Sequence, residues 1–478
     1  MASIGTNAEG KKQAVNPYLP SWEYIPDGEP YVFDGRVYVY GSHDAYDGET
    51  FCVRDYVTWS APVDDLGNWR YEGVIYKKTE DPLNKDGAMC LYAPDLTRGP
   101  DGRYYLYYVL DRVSVVSVAV SASPAGPFRF LGYVHDEKGG VLGERAGDEP
   151  QFDPGVLTEG DVTYMYTGFC PKGDRSRHGA MLTVLMPDML TIKEEPVIIA
   201  PGMEYSAGTP YEGHAYFEAA SIRKRENLYY FIYSSEVMHE LCYAMADNPR
   251  GPFTYGGVIV SNCDIGIGTY KDAALPSAYG SNNHGSMIEI GDRWYIFYHR
   301  HTNGTWFSRQ GCAEPISFRE DGSILQAEIT SSGMNGGPLS DRGEYPAYIA
   351  CHLYTPARSV YVEYDAPKIA QGSEEGGEPY SFIRRITDGT TIGFKYFDAK
   401  GVTGLRIRTR AYADGFFEIR RSPDGEVLGR IGMKNSNIWT AGECHFENGA
   451  WPDGKCALFL TFCGSGAASL VSFEFLHD

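Results

Sequence analysis

The stretch Tyr216–Ser235, YFEAASIRKRENLYYFIYSS, decides how the rest of the chain is read. One acid, Glu218, stands among small residues (Ala219, Ala220, Ser221), and ten residues later an aromatic run opens at Leu228. The same pairing of an upstream polar residue with an aromatic strand recurs. Turns followed by aromatic runs appear at FDGRVYVYG (33–41), PDGRYYLYYV (100–109), EGDVTYMYTG (159–168), RENLYYFIYS (225–234) and IGDRWYIFYH (290–299). The runs open near Val37, Tyr104, Thr163, Leu228 and Trp294, 59 to 67 residues apart. That period suits four short strands and their turns, so the repeats predict a five-bladed β-propeller closed around an axis. A second echo, SASPAGPF (121–128) against ADNPRGPF (246–253), fits an outer turn shared by two blades.

Nine or ten residues before the aromatic runs stand Asp27, Asp95, Asp153, Glu218 and His284. Innermost strands line the axis of a propeller, so these five are expected to converge on one rim. Taken singly, each acid reads as a turn or Asx-cap residue, and His284 as a loop hydrogen-bonder. Their common phase argues for a shared function, because clustered carboxylates are costly unless something compensates them.

From residue 325 the texture changes. SSGMNGGPLSDRGEYP (331–346) reads as a linker, and alternating runs such as TIGFKYFD (391–398) and CALFLTFCG (456–464) predict a β-sandwich. The expected organisation is a polar amino-terminal extension (1–15), a propeller (16–330), a linker (331–345) and a sandwich (346–478). Long helical periodicity is almost absent, so the fold class is all-β.

Bulk composition narrows the partners. The 478 residues carry a formal net charge of −21, which disfavours nucleic acid and anionic membrane surfaces. No run of about 18 apolar residues predicts a membrane span. The 37 Tyr favour strands and also offer rings on which a sugar face stacks, so a neutral oligosaccharide is the expected partner. Ten scattered Cys without ligand spacing read as reduced thiols. With no apolar leader at the amino terminus, the expected location is cytoplasmic, or secreted had a leader been removed. The sequence carries no signal for oligomeric state, nor for any organic cofactor.

Two carboxylates across a pocket are what glycosidic cleavage needs, one protonated and one ionised. Glu218, beside Phe217, suits the acid and Asp27, in IPDGEP, the base. Asp153, from the blade next to that of Glu218, would hold Glu218 protonated by repulsion. Blades one and four are not neighbours, which leaves room for a water and favours inversion. A neutral imidazole at His284 could ligate a hydrated cation, for which calcium is the candidate, or bond the catalytic water.

At these residues the sequence resembles glycoside hydrolase family 43, the five-bladed β-xylosidases, α-L-arabinofuranosidases and arabinanases. NPYLPSWEYIPDGEPYV is similar to the family's amino-terminal segment, which implies a general-base Asp27. QFDPGVL implies that Asp153 modulates the acid, and HAYFEAASI implies a general-acid Glu218. SNNHGSMIEIGDRWYIFYHRH resembles the segment whose His coordinates an axial calcium, hence His284, and FSRQGCAEPISF the segment with a sugar-binding Arg, hence Arg309. IPDGEP stands where the family has HPDPS, and YAPD (92–95) where it has WAPD; Tyr92 keeps a ring for a sugar, and Asp44 and Asp95 are candidate hydroxyl ligands. The tail resembles carbohydrate-binding modules of family 6. The resemblance implies an exo-acting, inverting glycosidase releasing L-arabinofuranose or D-xylose from hemicellulose-derived oligosaccharides. The alternatives are a β-D-galactofuranosidase on the same fold, or a sugar-binding protein without catalysis, which a Glu218→Gln exchange separates from an enzyme. A retaining fructosidase is disfavoured, since its WxNDPNG-like and RDP segments are absent.

Overall fold

The computed structural model describes every residue except 1–3, 7–9, 364, 374–376, 378, 434, 448 and 478. Twenty strands form five four-stranded antiparallel sheets, each built from strands consecutive in sequence. Blade one is β1 (Glu29–Phe33), β2 (Arg36–Tyr40), β3 (Tyr56–Pro62) and β4 (Arg70–Tyr76). Blade two is β5 (Asp95–Arg98), β6 (Tyr104–Tyr108), β7 (Ser117–Ser121) and β8 (Arg129–Tyr133). Blade three is β9 (Gly155–Glu159), β10 (Val162–Thr167), β11 (Gly179–Leu185) and β12 (Ile192–Pro201). Blade four is β13 (Tyr216–Arg225), β14 (Leu228–Ser235), β15 (Glu240–Ala246) and β16 (Thr254–Ser261). Blade five is β17 (Met287–Ile290), β18 (Arg293–Arg300), β19 (Gln310–Phe318) and β20 (Ile324–Leu325). No α-helix occurs among the described residues, and none is long and apolar enough to cross a membrane.

The aromatic runs are the second strands, and the two-residue period explains their composition. Successive side chains point to opposite faces, and both faces are covered by neighbouring blades. Tyr104, Leu106 and Tyr108 pack with blade one, whereas Tyr105 and Tyr107 pack with blade three. Tyr166 and Phe231 share the core between blades three and four, and Tyr230 faces blade five. Phe297 and Tyr295 join Val37 and Trp59, which closes the ring. Buried phenols need acceptors, and two of the second-strand tyrosines find theirs on the next blade. Tyr40 donates to Pro124 O at 2.7 Å and Tyr166 to Pro249 O at 2.5 Å. Those carbonyls belong to the two echoed turns, between β7 and β8 and between β15 and β16. The repeat in the sequence is therefore an acceptor site for the preceding blade's tyrosine.

The second unit is a sandwich. One sheet contains β21 (Leu339–Ser340), β26 (Thr391–Ala399), β31 (Gly454–Gly466), β28 (Ala413–Arg420) and β29 (Gly429–Gly432), with β23 (His352–Tyr354) also on β26. The other contains β24 (Lys368–Gly372), β25 (Tyr380–Ile386), β32 (Ala468–His477), β27 (Val402–Ala411) and β30 (Ser436–His445), with β22 (Glu344–Pro346) on β32. Its core includes Phe394 and Phe473, whose ring centroids lie 4.3 Å apart. The stretch expected as a linker, 331–345, thus carries β21 and the start of β22 as working strands. The amino-terminal segment expected as an extension also packs: Val15 joins the sandwich core, and Gln13 bonds Tyr345 OH and Ser340 N. Between the two units Lys395 is buried 2.7 Å from Glu328 and 3.5 Å from Asp264.

Candidate active site

One end of the propeller axis opens into a cavity of about 300 Å³. Asp27, Asp153, Glu218, His284, Arg309 and Tyr92 all line it, so six of the eight residues singled out in the sequence meet there. Asp27 and Asp153 each stand two residues before an innermost strand, at φ of 58° and 42°. Such left-handed conformations are unfavourable for residues with a Cβ and concentrate at functional sites. Glu218 lies inside β13, where the register to β14 slips on both sides of it and Ala219 adopts φ 68°. A β-bulge re-aims the side chain at its position. Asp153 Oδ2 accepts the Ala219 N–H at 3.1 Å, so the acid's neighbour also fixes the bulge that presents it.

The electrostatics divide the carboxylates into two kinds. Burial opposes charge on Asp27, yet Arg309 Nη1 at 3.0 Å and His299 Nδ1 at 3.2 Å hold its carboxyl well below the usual range. Arg309 is itself aimed by Asp44, which takes Nε at 2.8 Å and Nη2 at 3.1 Å as a fork. Its guanidinium also sits 4.8 Å from the Phe51 ring centre. Glu218 goes the other way: burial and then repulsion from Asp153 push it up to about 8. Asp153 is raised to about 7 by burial, with the His284 charge pulling it back down. Asp153 therefore ionises first, and its charge then keeps the proton on Glu218.

His284 sits between two buried carboxylates. Its Nδ1 lies 3.6 Å from Asp153 Oδ2 and its Nε2 3.8 Å from Glu29 Oε1. Burial disfavours the cation, but Glu29, Asp153 and Asp27 outweigh it and raise His284 to about 9. Glu29 Oε1 is buried without a hydrogen-bond partner. A hydrated cation would find that oxygen and, on losing its proton, the His284 nitrogen. Calcium takes six to eight ligands, so water would have to supply the others.

Two of the candidate hydroxyl ligands are absent from the cavity wall. Asp44 is buried under Arg309. Asp95 is the first residue of β5, as Glu29 is of β1, and so lies one layer down the axis. The blade-two residue two positions before its strand, as Asp27 and Asp153 are before theirs, is Ala93, which does line the cavity. Asp95 instead accepts from Tyr31 OH at 2.6 Å and Val156 N at 2.7 Å, beside the buried Arg223 that pairs with Glu29. Arg223 and Glu29 were not singled out in the sequence. Of the aromatic wall only Tyr92 was singled out as a sugar contact: Tyr92, Phe152, Phe169 and Phe217 form a chain with centroids 5.1–5.7 Å apart. Phe51, between β2 and β3, Phe169, just after β10, and Met238, between β14 and β15, complete the wall.

A propeller whose axis presents an ionised and a protonated carboxyl to one aromatic-walled cavity is the fold and site of a glycoside hydrolase. The family model described as Glycosyl hydrolases family 43 matches residues 26–324, and the chain belongs to that family. Over 475 residues it is 61% identical to a xylosidase/arabinosidase of Thermoclostridium stercorarium, covering 98% of this chain and 100% of that one. A xylosidase/arabinosidase of Bacteroides ovatus is 29% identical over 350 residues, 65% of this chain and 97% of the other. Among solved structures, the family 43 arabinoxylan arabinofuranohydrolase of Bacillus subtilis superposes with a TM-score of 0.54 at 20% identity, over 100% of this chain and 99% of that one, a likeness of fold across both units.

Proposed function

We propose that the protein is an exo-acting, inverting glycosidase that releases a terminal pentose, D-xylose or L-arabinofuranose, from short hemicellulose-derived oligosaccharides. The observation that carries this reading is the split between Glu218, pushed up to about 8, and Asp27, held well below the carboxylate range, in one cavity. Asp27 takes a proton from a water whose oxygen bonds to the anomeric carbon. The glycosidic C–O bond breaks, and the leaving oxygen takes the proton of Glu218. Solvent then returns the proton from Asp27 to Glu218. Arg309 keeps Asp27 ionised and oriented, and Asp153 keeps Glu218 protonated until it is needed. A cavity at the lower end of the ligand-pocket range suits one terminal sugar rather than a chain threaded through. The xylosidase/arabinosidase named for the 61% identical relative supports pentoses as the sugars released. A calcium ion at the axis would rest on Glu29 Oε1 and His284 Nε2 and supply positive charge behind the carboxylates.

The test is hydrolysis of nitrophenyl β-D-xyloside and nitrophenyl α-L-arabinofuranoside, with proton NMR of the first anomer released. An inverted anomer is expected. A retained anomer overturns the assignment of Asp27 as base, and no hydrolysis of either overturns the function.

A further inference from the structure

The sandwich reaches the mouth of the catalytic cavity. Trp306 lines the cavity and is 37% exposed, so its ring forms part of the rim. Against it lies Tyr361 of the sandwich unit, with centroids 6.0 Å apart and ring planes within 15° of parallel. Tyr361 is 50% exposed and is absent from the cavity wall, so it carries the aromatic rim outward, away from the acids.

Both rings are held by the sandwich. The loop that carries Trp306 is clipped to β24: Ile369 N donates to Thr302 O at 2.9 Å, and Asn303 Nδ2 donates to Ile369 O at 2.9 Å. The segment that carries Tyr361 is tied to the propeller loop beside the cavity. Leu353 N donates to Ser277 O at 2.8 Å, Gly280 N to Val360 O at 2.7 Å and Arg358 Nη1 to Pro276 O at 3.1 Å. Two propeller loops are thus fixed by hydrogen bonds that cross between the units. A single exposed ring needs no explanation. Two nearly parallel rings, each partly open to solvent and each anchored from both units, form a preorganised platform.

We propose that Tyr361 and Trp306 form the subsite for the sugar that becomes the leaving group, its C–H face stacking on the two rings while the terminal sugar sits in the cavity. This rests on the glycosidase reading above and adds to it that the sandwich is part of the active site. Stacking of this kind holds a second sugar without reading its hydroxyl groups closely, and it acts on binding rather than on the chemical step.

The experiment compares wild type, Tyr361→Ala and Tyr361→Phe on two substrates of the same terminal sugar: the disaccharide (xylobiose or α-1,5-arabinobiose) and the glycosyl fluoride, which has no second sugar. Tyr361→Ala is expected to raise KM for the disaccharide about fivefold, with kcat within about twofold. The fluoride should be turned over as by wild type, and Tyr361→Phe should keep the wild-type KM for the disaccharide. An unchanged KM for the disaccharide, or the same change for the fluoride, overturns the subsite while leaving the glycosidase reading standing. A wild-type protein inactive on both substrates overturns the glycosidase reading and the subsite with it.

Discussion

Exchanging Asp153 for Asn tests the division of labour between the carboxylates. Asn keeps an oxygen that can accept the Ala219 N–H, now 3.1 Å from Asp153 Oδ2, so the bulge that presents Glu218 is retained. What is lost is the charge, the second contribution after burial to the raised Glu218. Glu218 must be protonated to act, so activity is present below its pKa and lost as pH rises through it. In wild type that alkaline limb is expected near 8. Without Asp153 burial still holds Glu218 above its ordinary value, and the limb should fall by about one pH unit, worth about 1.4 kcal/mol. At pH 5 to 6 the variant should be close to wild type, because Asp153, raised to about 7, is already neutral there. The assay is kcat/KM against pH on an oligosaccharide, whose alcohol leaving group depends on the acid's proton, with thermal melting to confirm the fold. A limb that stays near 8 or moves upward refutes the reasoning.

Glu218→Gln should cut kcat/KM on oligosaccharides by about 10²–10⁴ while sparing a dinitrophenyl glycoside, whose leaving group needs no proton; equal losses on both would remove Glu218 from the acid role. Arg309→Lys breaks the fork on Asp44 and weakens the hold on Asp27. Asp27 then loses the fixed geometry of its main ionic partner, so kcat should fall with the fold intact by thermal melting; an unchanged kcat would show that the fork does not position the base. Lys395→Met leaves Asp264 and Glu328 without their buried cation. The expected loss is about 3–5 kcal/mol, read as a lower midpoint in urea, and an unchanged midpoint would show the pair to be neutral for stability.

The fold was legible because its signal is local and repeated. A strand covered on both faces must be apolar or aromatic throughout, and five such strands at one period cannot be hidden by surface variation. Asp27, Asp153 and Glu218 were legible through that phase, and the cavity does bring them together. Asp95 shows where counting fails: a shift of two residues moves a side chain from the cavity to the layer beneath it, and the sequence does not mark where a strand's pairing begins. The bulge at Glu218 is of the same kind, since a register slip of β13 against β14 is a property of the pair.

By itself the sequence determined the repeat, the all-β class, the two units and the identity of three acids, because these follow from period and composition. The tertiary structure alone decided what sets the two carboxyls apart, since that depends on Arg309 reaching Asp27 across 282 residues and on Asp153 lying beside Glu218. It alone also decided that the sandwich borders the site, because Trp306 and Tyr361 meet only once both units have folded and docked. Charge states and shared walls are set by distances through space, and a linear order of residues does not contain them.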